Sequence, residues 1–392
     1  MEIFPAIMIG GPPHAGKSVL AYSLTHALRR RGVDHYVLRA YPDGEGDWAN
    51  EADQEFVRRI RIKGQGTPQW VTHICRDIAA RHLPLIVDVG GRPTLDQERI
   101  FDDCTHAILL TRDEASHRLW QAIVSRHGLI LLADLHSRLT GTDQISDDGP
   151  ILRGTITGLE RGTTASGPTF EALVERVARL FAYAPDELRR SHLRAAPVEN
   201  TIDLDRLART LGVPLTGAQA TWQPHHLPHL LEYLPQAVPL ALYGRGPNWL
   251  YAAVALLTPP ATLYQFDPRL GWVVPPTLRL GTMAEDAPLQ ARIAVRRDHV
   301  HLEFILPDAY LDYSQADGLT VPEIPTDRGA VLSGKIPLWL YTALALTYAP
   351  LVPWLAVCQA QHEEHPVVVS SRIPALSPGQ QVVSPLPERD PR

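Results

Sequence analysis

Short continuous apolar runs separated by amphipathic stretches dominate the first half of the chain. IFPAIMIG, HYVLRAYP, PLIVDVGG and HAILLTR read as strands bounded by turn residues. Runs without alternation belong to strands buried on both faces, and the helical stretches between them predict a parallel sheet. The helix after the first run carries its packing stripe in Leu20, Leu24 and Leu28, at i, i+4 and i+8. Arg29, Arg30 and Arg31 suit its C-terminus, and Gly32 ends it. The expected fold class is α/β, with a parallel sheet over residues 1–190 and two related α/β units at 191–290 and 291–392. APDELRRSHLRAAPVENTIDLDRLARTLGVP reads as a polar, proline-bounded helical linker, and SPGQQVVSPLPERDPR as a loose tail.

The second half repeats itself. YGRGPNWLYAAVALL begins at Tyr243, and SGKIPLWLYTALALT begins 90 residues later at Ser333. A glycine, a basic residue, a proline and Trp-Leu-Tyr coincide. Each copy reads strand (VPLALY, GAVL), turn, helix, proline break, strand (TLYQF, PWLAV). Pro247 and Pro337 suit the start of a helix. A helix N-terminus behind a glycine turn presents N–H groups, and Arg245 or Lys335 adds positive charge, so each turn is a candidate anion site. Pro337 to Cys358 carries no charge over a length that spans a bilayer. Pro350 and Pro353 split it, as Pro259 and Pro260 split the first copy, which favours a buried helix, turn and strand.

Composition narrows the partners. With 392 residues, 45% hydrophobic and 20% charged, the chain has the balance of a soluble globular protein. A net charge of −6 argues against a binder of long nucleic acid, but leaves a small anion in a local basic pocket. Three cysteines without a CxxC pair exclude a disulfide framework or zinc ribbon and fit a reducing cytoplasm. MEIFPAIMIGG lacks a basic leader and reads as a strand, so a cytoplasmic location is expected.

The first apolar run ends in Gly11-Pro12-Pro13-His14-Ala15-Gly16-Lys17-Ser18, a complete GxxxxGK[ST] pattern between a strand and a helix. Backbone N–H groups of such a loop cradle phosphates, Lys17 reaches the terminal ones, and Ser18 ligates Mg²⁺. ATP and Mg²⁺ are the expected cofactors. Asp88, at the tip of PLIVDV, is the second candidate for the Mg²⁺ shell. Asp43, Glu45 and Asp47 alternate in a glycine loop; the spacing is not that of an EF-hand. In a small-molecule kinase Asp43 would act as the base on the phosphate acceptor.

The copies diverge after their second strand. The first continues FDPRLG, with Asp267 and Arg269, and the second continues VCQAQHEEHPVVVSS. The signature Gly-basic-x-Pro-x-Trp-Leu-Tyr with Asp-Pro-Arg-Leu-Gly resembles the CRISPR-associated ring nucleases of type III systems. It is most similar to the manganese-dependent kind that also occurs fused to an AAA-type P-loop domain. The resemblance implies two ring-nuclease-like units behind a P-loop domain, with cyclic tetra-adenylate as the ligand, its linearisation as the activity, Mn²⁺ as a further metal and a homo-oligomer as the assembly. Carried over by position, Gly244, Arg245, Gly246 and Asn248 of the first turn and Lys335 of the second line the ligand, and Asp267 and Arg269 are catalytic. The family's unit has a histidine before the Asp-Pro strand and ends in Ser-His. Thr258 and about Pro350 stand at the first place here, and Ser370-Ser371 at the second. Binding without cleavage, and a kinase whose C-terminal units sense the ring, therefore stay open as alternatives.

Several histidines invite metal readings. His225 and His229 have helical i, i+4 spacing, but Pro228 lies between them and no nearby carboxylate or cysteine completes a set. His299 and His301 share one face of a strand, which points to surface or hydrogen-bonded roles. His362 is the candidate to replace a lost family histidine.

Overall fold

In the computed structural model, residues 4–41, 67–216, 219–308, 310–359 and 365–384 are described. Two compact units divide them. One comprises Met1–Ser191 with Pro268–Gly271, and the other His192–Asp267 with Trp272–Arg392.

In the first unit, β1 (Ala6–Gly10) is buried along its whole length, as an uninterrupted apolar run requires. It is followed by α1 (Lys17–Arg30), β2 (Tyr36–Ala40), α2 (Pro68–Ala79), β3 (Leu85–Val89), α3 (Leu95–Asp102) and β4 (His106–Thr111). Then come α4 (Glu114–Arg126), β5 (Ile130–Arg138), β6 (Gln144–Asp148), β7 (Leu152–Thr157) and α5 (Pro168–Leu180). The sheet order is β2-β3-β1-β4-β5-β7-β6. The pairs are parallel except β6 with β7. The four expected strands are β1 to β4. Strands β5 to β7 were not apparent in the sequence, because they mix polar residues into a partly exposed extension of the sheet.

Leu20, Leu24 and Leu28 are fully buried against Ile7, Ile9 and Ile108, in one core shared with Phe170, Leu173 and Val177 of α5. Trp120 of α4 lies against Gly10, where a Cβ would come 2.7 Å from the indole ring. The chain leaves β1 toward β2 on one side and leaves β4 toward β5 on the other. That reversal opens a crevice at the C-terminal ends of β1 and β4.

Helix α6 (Pro185–Arg194) leads into the second unit, which begins with β8 (Thr201–Asp203) and α7 (Leu204–Thr210). Strand β8 corrects the linker reading. It pairs in parallel with the first repeat's strand, and its three residues are too few to show a period. A small ribbon, β9 (Leu215–Thr216) with β10 (Gln219–Ala220), and α8 (Leu227–Tyr233) follow. The first copy is β11 (Leu240–Tyr243), α9 (Asn248–Ala255), β12 (Leu263–Asp267) and β13 (Gly271–Val273), in a sheet ordered β13-β12-β11-β8.

The chain continues through β14 (Arg279–Leu280), β15 (Gln290–Val295), β16 (His299–Ile305) and β17 (Thr320–Val321). The second copy is β18 (Gly329–Gly334), α10 (Leu338–Tyr348), β19 (Trp354–Val357) and β20 (Val367–Ser371), in a sheet ordered β15-β16-β18-β19-β20. Helices α9 and α10 pack on each other. Both are apolar on all sides, and only mutual burial satisfies such helices. No helix among the described residues is long and apolar enough to cross a membrane.

Candidate functional site

The glycine-rich loop Gly11–Gly16 joins β1 to α1 at the crevice of the first sheet. Its glycines are required by geometry. Gly11 has φ 152°, and a Cβ there would lie 2.0 Å from the Leu110 carbonyl oxygen. Gly16 has φ 90°, and its Cβ would lie 2.5 Å from that of Leu159. His14 is exposed at φ 62°. Lys17 is 8% exposed, and its Nζ donates to the carbonyls of Gly11 and Pro12, both at 2.9 Å. No side chain caps α1, and no acidic residue lies in its first turn. Its leading N–H groups and the Lys17 ammonium therefore converge on one loop, an arrangement suited to phosphate oxygens.

Ser18 lies in that first helical turn. Asp88 is buried on β3 beside Ile9 of β1, with Arg39 Nη1 at 3.4 Å. Their oxygens are the hard donors that Mg²⁺ prefers. Asp43 and His362 fall outside the described residues. Elsewhere in this unit a polar cavity of about 440 Å³ holds a pair the sequence did not reveal, His117 Nε2 at 2.8 Å from Asp134 Oδ2.

The repeated turns of the second unit match in detail. Gly244 has φ 113° and Gly334 has φ 127°. Tyr251 donates its hydroxyl to the Gly244 carbonyl and Tyr341 donates to Gly334, each at 2.6 Å. Burial, helped by the negative potential of Asp205 and Asp267, pushes the Tyr251 phenol well up, so it stays a donor. Pro247 and Pro337 precede α9 and α10 at the N-cap position, and neither proline caps its helix with its own side chain. Arg245 and Lys335 are exposed at the two turns, and Gly246 and Asn248 are partly buried.

Register fixes a correspondence that the sequence obscured. Leu242 pairs with Gln265 and Leu332 with Val357, so two residues further on Asp267 corresponds to Gln359. Gln359 Oε1 accepts the Asn248 N–H at 3.0 Å, tying the end of the second copy to the helix start of the first. Reciprocally, Thr342 of α10 donates to Gln265 Oε1 at 2.8 Å. Asp267 closes β12 in the second unit. Arg269 belongs to the first unit, where its Nη1 lies 3.9 Å from buried Asp77.

Behind each turn a hydroxyl meets an imidazole. Tyr243 Oη lies 2.9 Å from His192 Nδ1, and Ser333 Oγ lies 2.8 Å from His301 Nε2. In the second copy the contacts continue from His301 Nδ1 to Ser384 at 2.7 Å, to His299 Nε2 at 2.8 Å, and from His299 Nδ1 out to the exposed Asp298 at 2.8 Å. His299 and His301 are thus buried network members. The sequence missed His192, Gln359 and Ser384. The one available signal was a hydroxyl at the same place in both repeats. Among the described residues no three His, Cys, Asp or Glu side chains gather as a metal cluster.

Residues 304–383 match the family model of a CRISPR-associated protein (Cas_csx3), which supports a CRISPR-associated protein. The matched segment contains the second repeat from Gly329 to Ser371. No curated protein matches the chain. Among solved structures it is similar to the one titled "Crystal structure of APE1195". Identity is 20% over 35% of this chain, with a TM-score of 0.16, and the match spans 61% of that chain.

Proposed function

We propose that the chain binds cyclic tetra-adenylate, the second messenger of type III CRISPR immunity, and cleaves it at the first repeat. The first unit binds ATP through Gly11–Ser18 and regulates the response or oligomerises the chain. The observation that carries the ring reading is the matching pair of turns. Two matching glycine turns each carry a basic residue at a helix start, and Gln359 of the second copy accepts the Asn248 N–H at the helix start of the first. A ring of phosphates is a repeating anion, and two related anion sites suit it. Cleavage by a ribose 2′-hydroxyl requires orientation and charge stabilisation. Asp267 orients the hydroxyl, and Arg245 and Lys335 face the phosphates. When bound, Mg²⁺ at Ser18 and Asp88 neutralises ATP phosphates; Mn²⁺ is the metal to test for ring cleavage.

The test is incubation of the purified chain with cyclic tetra-adenylate, with and without ATP, in Mn²⁺ and in Mg²⁺, with products separated by chromatography. Linear products are expected from the wild type, and Asp267→Ala is expected to abolish them. Full turnover by Asp267→Ala would remove Asp267 from the site. Gln359 in place of a second Asp favours one alternative, a sensor that binds the ring intact. A ring that neither binds nor breaks points to a small-molecule kinase.

A further inference from the structure

Transesterification needs a group to take the 2′-hydroxyl proton, and the sequence signature supplies none. The two repeats place a hydroxyl–imidazole couple at the same register position, immediately before the turn glycine. They differ in access. Ser333 and His301 are 1% and 0% exposed. Tyr243 is only partly buried, whereas His192 behind it is 7% exposed. The couple of the first copy is therefore less enclosed than that of the second, with the imidazole the more sheltered of its two members.

His192 is held in place. Its carbonyl accepts the Trp272 indole N–H at 3.0 Å, and its ring lies 4.4 Å from that of Phe266, tilted by 31°. The Tyr243 ring is 5.0 Å from that of Phe266, the residue before Asp267. The less enclosed couple thus lies in the repeat that carries Asp267, and the sealed couple in the repeat that carries Gln359.

We propose that Tyr243 and His192 are the proton-accepting couple of the first half-site, acting on a ribose 2′-hydroxyl of a cyclic oligoribonucleotide. The inference rests on the ring-cleavage reading above. As the 2′-oxygen bonds to the adjacent phosphorus, its proton passes to Tyr243 Oη, and the phenol proton passes to His192 Nδ1. The bond from phosphorus to the 5′-oxygen breaks, and that oxygen takes a proton from water. The hydroxide left behind takes the proton from the imidazolium, which restores the couple. Tyr243 is the catalytic residue, and His192 acts through it.

The test is single-turnover cleavage of cyclic tetra-adenylate, with the ring's Kd measured for the same proteins. Tyr243→Phe is expected to slow cleavage about a hundredfold, the scale of general base catalysis, with Kd unchanged. His192→Gln keeps an acceptor for the phenol but takes no proton. It is expected to slow cleavage about tenfold, again with Kd unchanged, a split that a merely structural role would not give. Wild-type rates in Tyr243→Phe, or loss of ring binding in step with cleavage, overturn the couple while the ring-cleavage reading stands. An intact ring with the wild-type protein overturns both.

Discussion

A Cβ at Gly334 would come 2.0 Å from the Phe304 carbonyl oxygen, at a φ of 127° that other residues rarely adopt. The equivalent atom at Gly244 would meet the Leu204 Cβ at 3.2 Å, a contact that small shifts relieve. Gly334→Ala is therefore expected to destabilise the protein by about 3 kcal/mol, and Gly244→Ala by clearly less, in denaturant unfolding. At this scale the phosphate-loop candidates were legible, because Gly11, Gly16, Lys17 and Ser18 lie within one short stretch. His192 with Tyr243, and Gln359 with Asn248, lie 51 and 111 residues apart. Only the fold brings such partners together, and no local pattern announces them.

At the scale of elements, the repeat was legible because a glycine turn, a proline and an apolar helix recur at fixed spacing. The strands VPLALY, GAVL, TLYQF and PWLAV all formed, as β11, β18, β12 and β19. What could not be read was how the copies engage. Helices α9 and α10 share one buried surface, and the Thr342–Gln265 hydrogen bond crosses it at 2.8 Å. Both residues are essentially buried. Thr342→Val leaves Gln265 without its donor and is expected to cost about 1–3 kcal/mol, with the loss reduced in the Thr342→Val, Gln265→Leu double variant. Equal and additive losses in thermal unfolding would show that the bond does not couple the copies.

For the molecule as a whole, the chain forms two units, with both repeats inside the second. The sequence suggested a boundary near residue 190, and the division falls between Ser191 and His192. Within that unit the apolar helices α9 and α10 of the two repeats bury one another. The glycine-rich loop lies in one unit and the paired turns in the other. Lys17→Ala is therefore expected to abolish ATP binding, measured calorimetrically, while binding of cyclic tetra-adenylate persists. Loss of ring binding in that variant would mean that the first unit is required to form the ring site.

Gln359, standing where the register would repeat Asp267, has a consequence in time. On the proposed reading a symmetric messenger meets an asymmetric host, with one side that cuts and one that only holds. Each encounter opens a single junction, and the first molecule released is an open strand of full length. Shorter fragments demand that this strand return and enter again in another orientation. The alarm is thus dismantled in two separate visits, and the intermediate lives in solution between them.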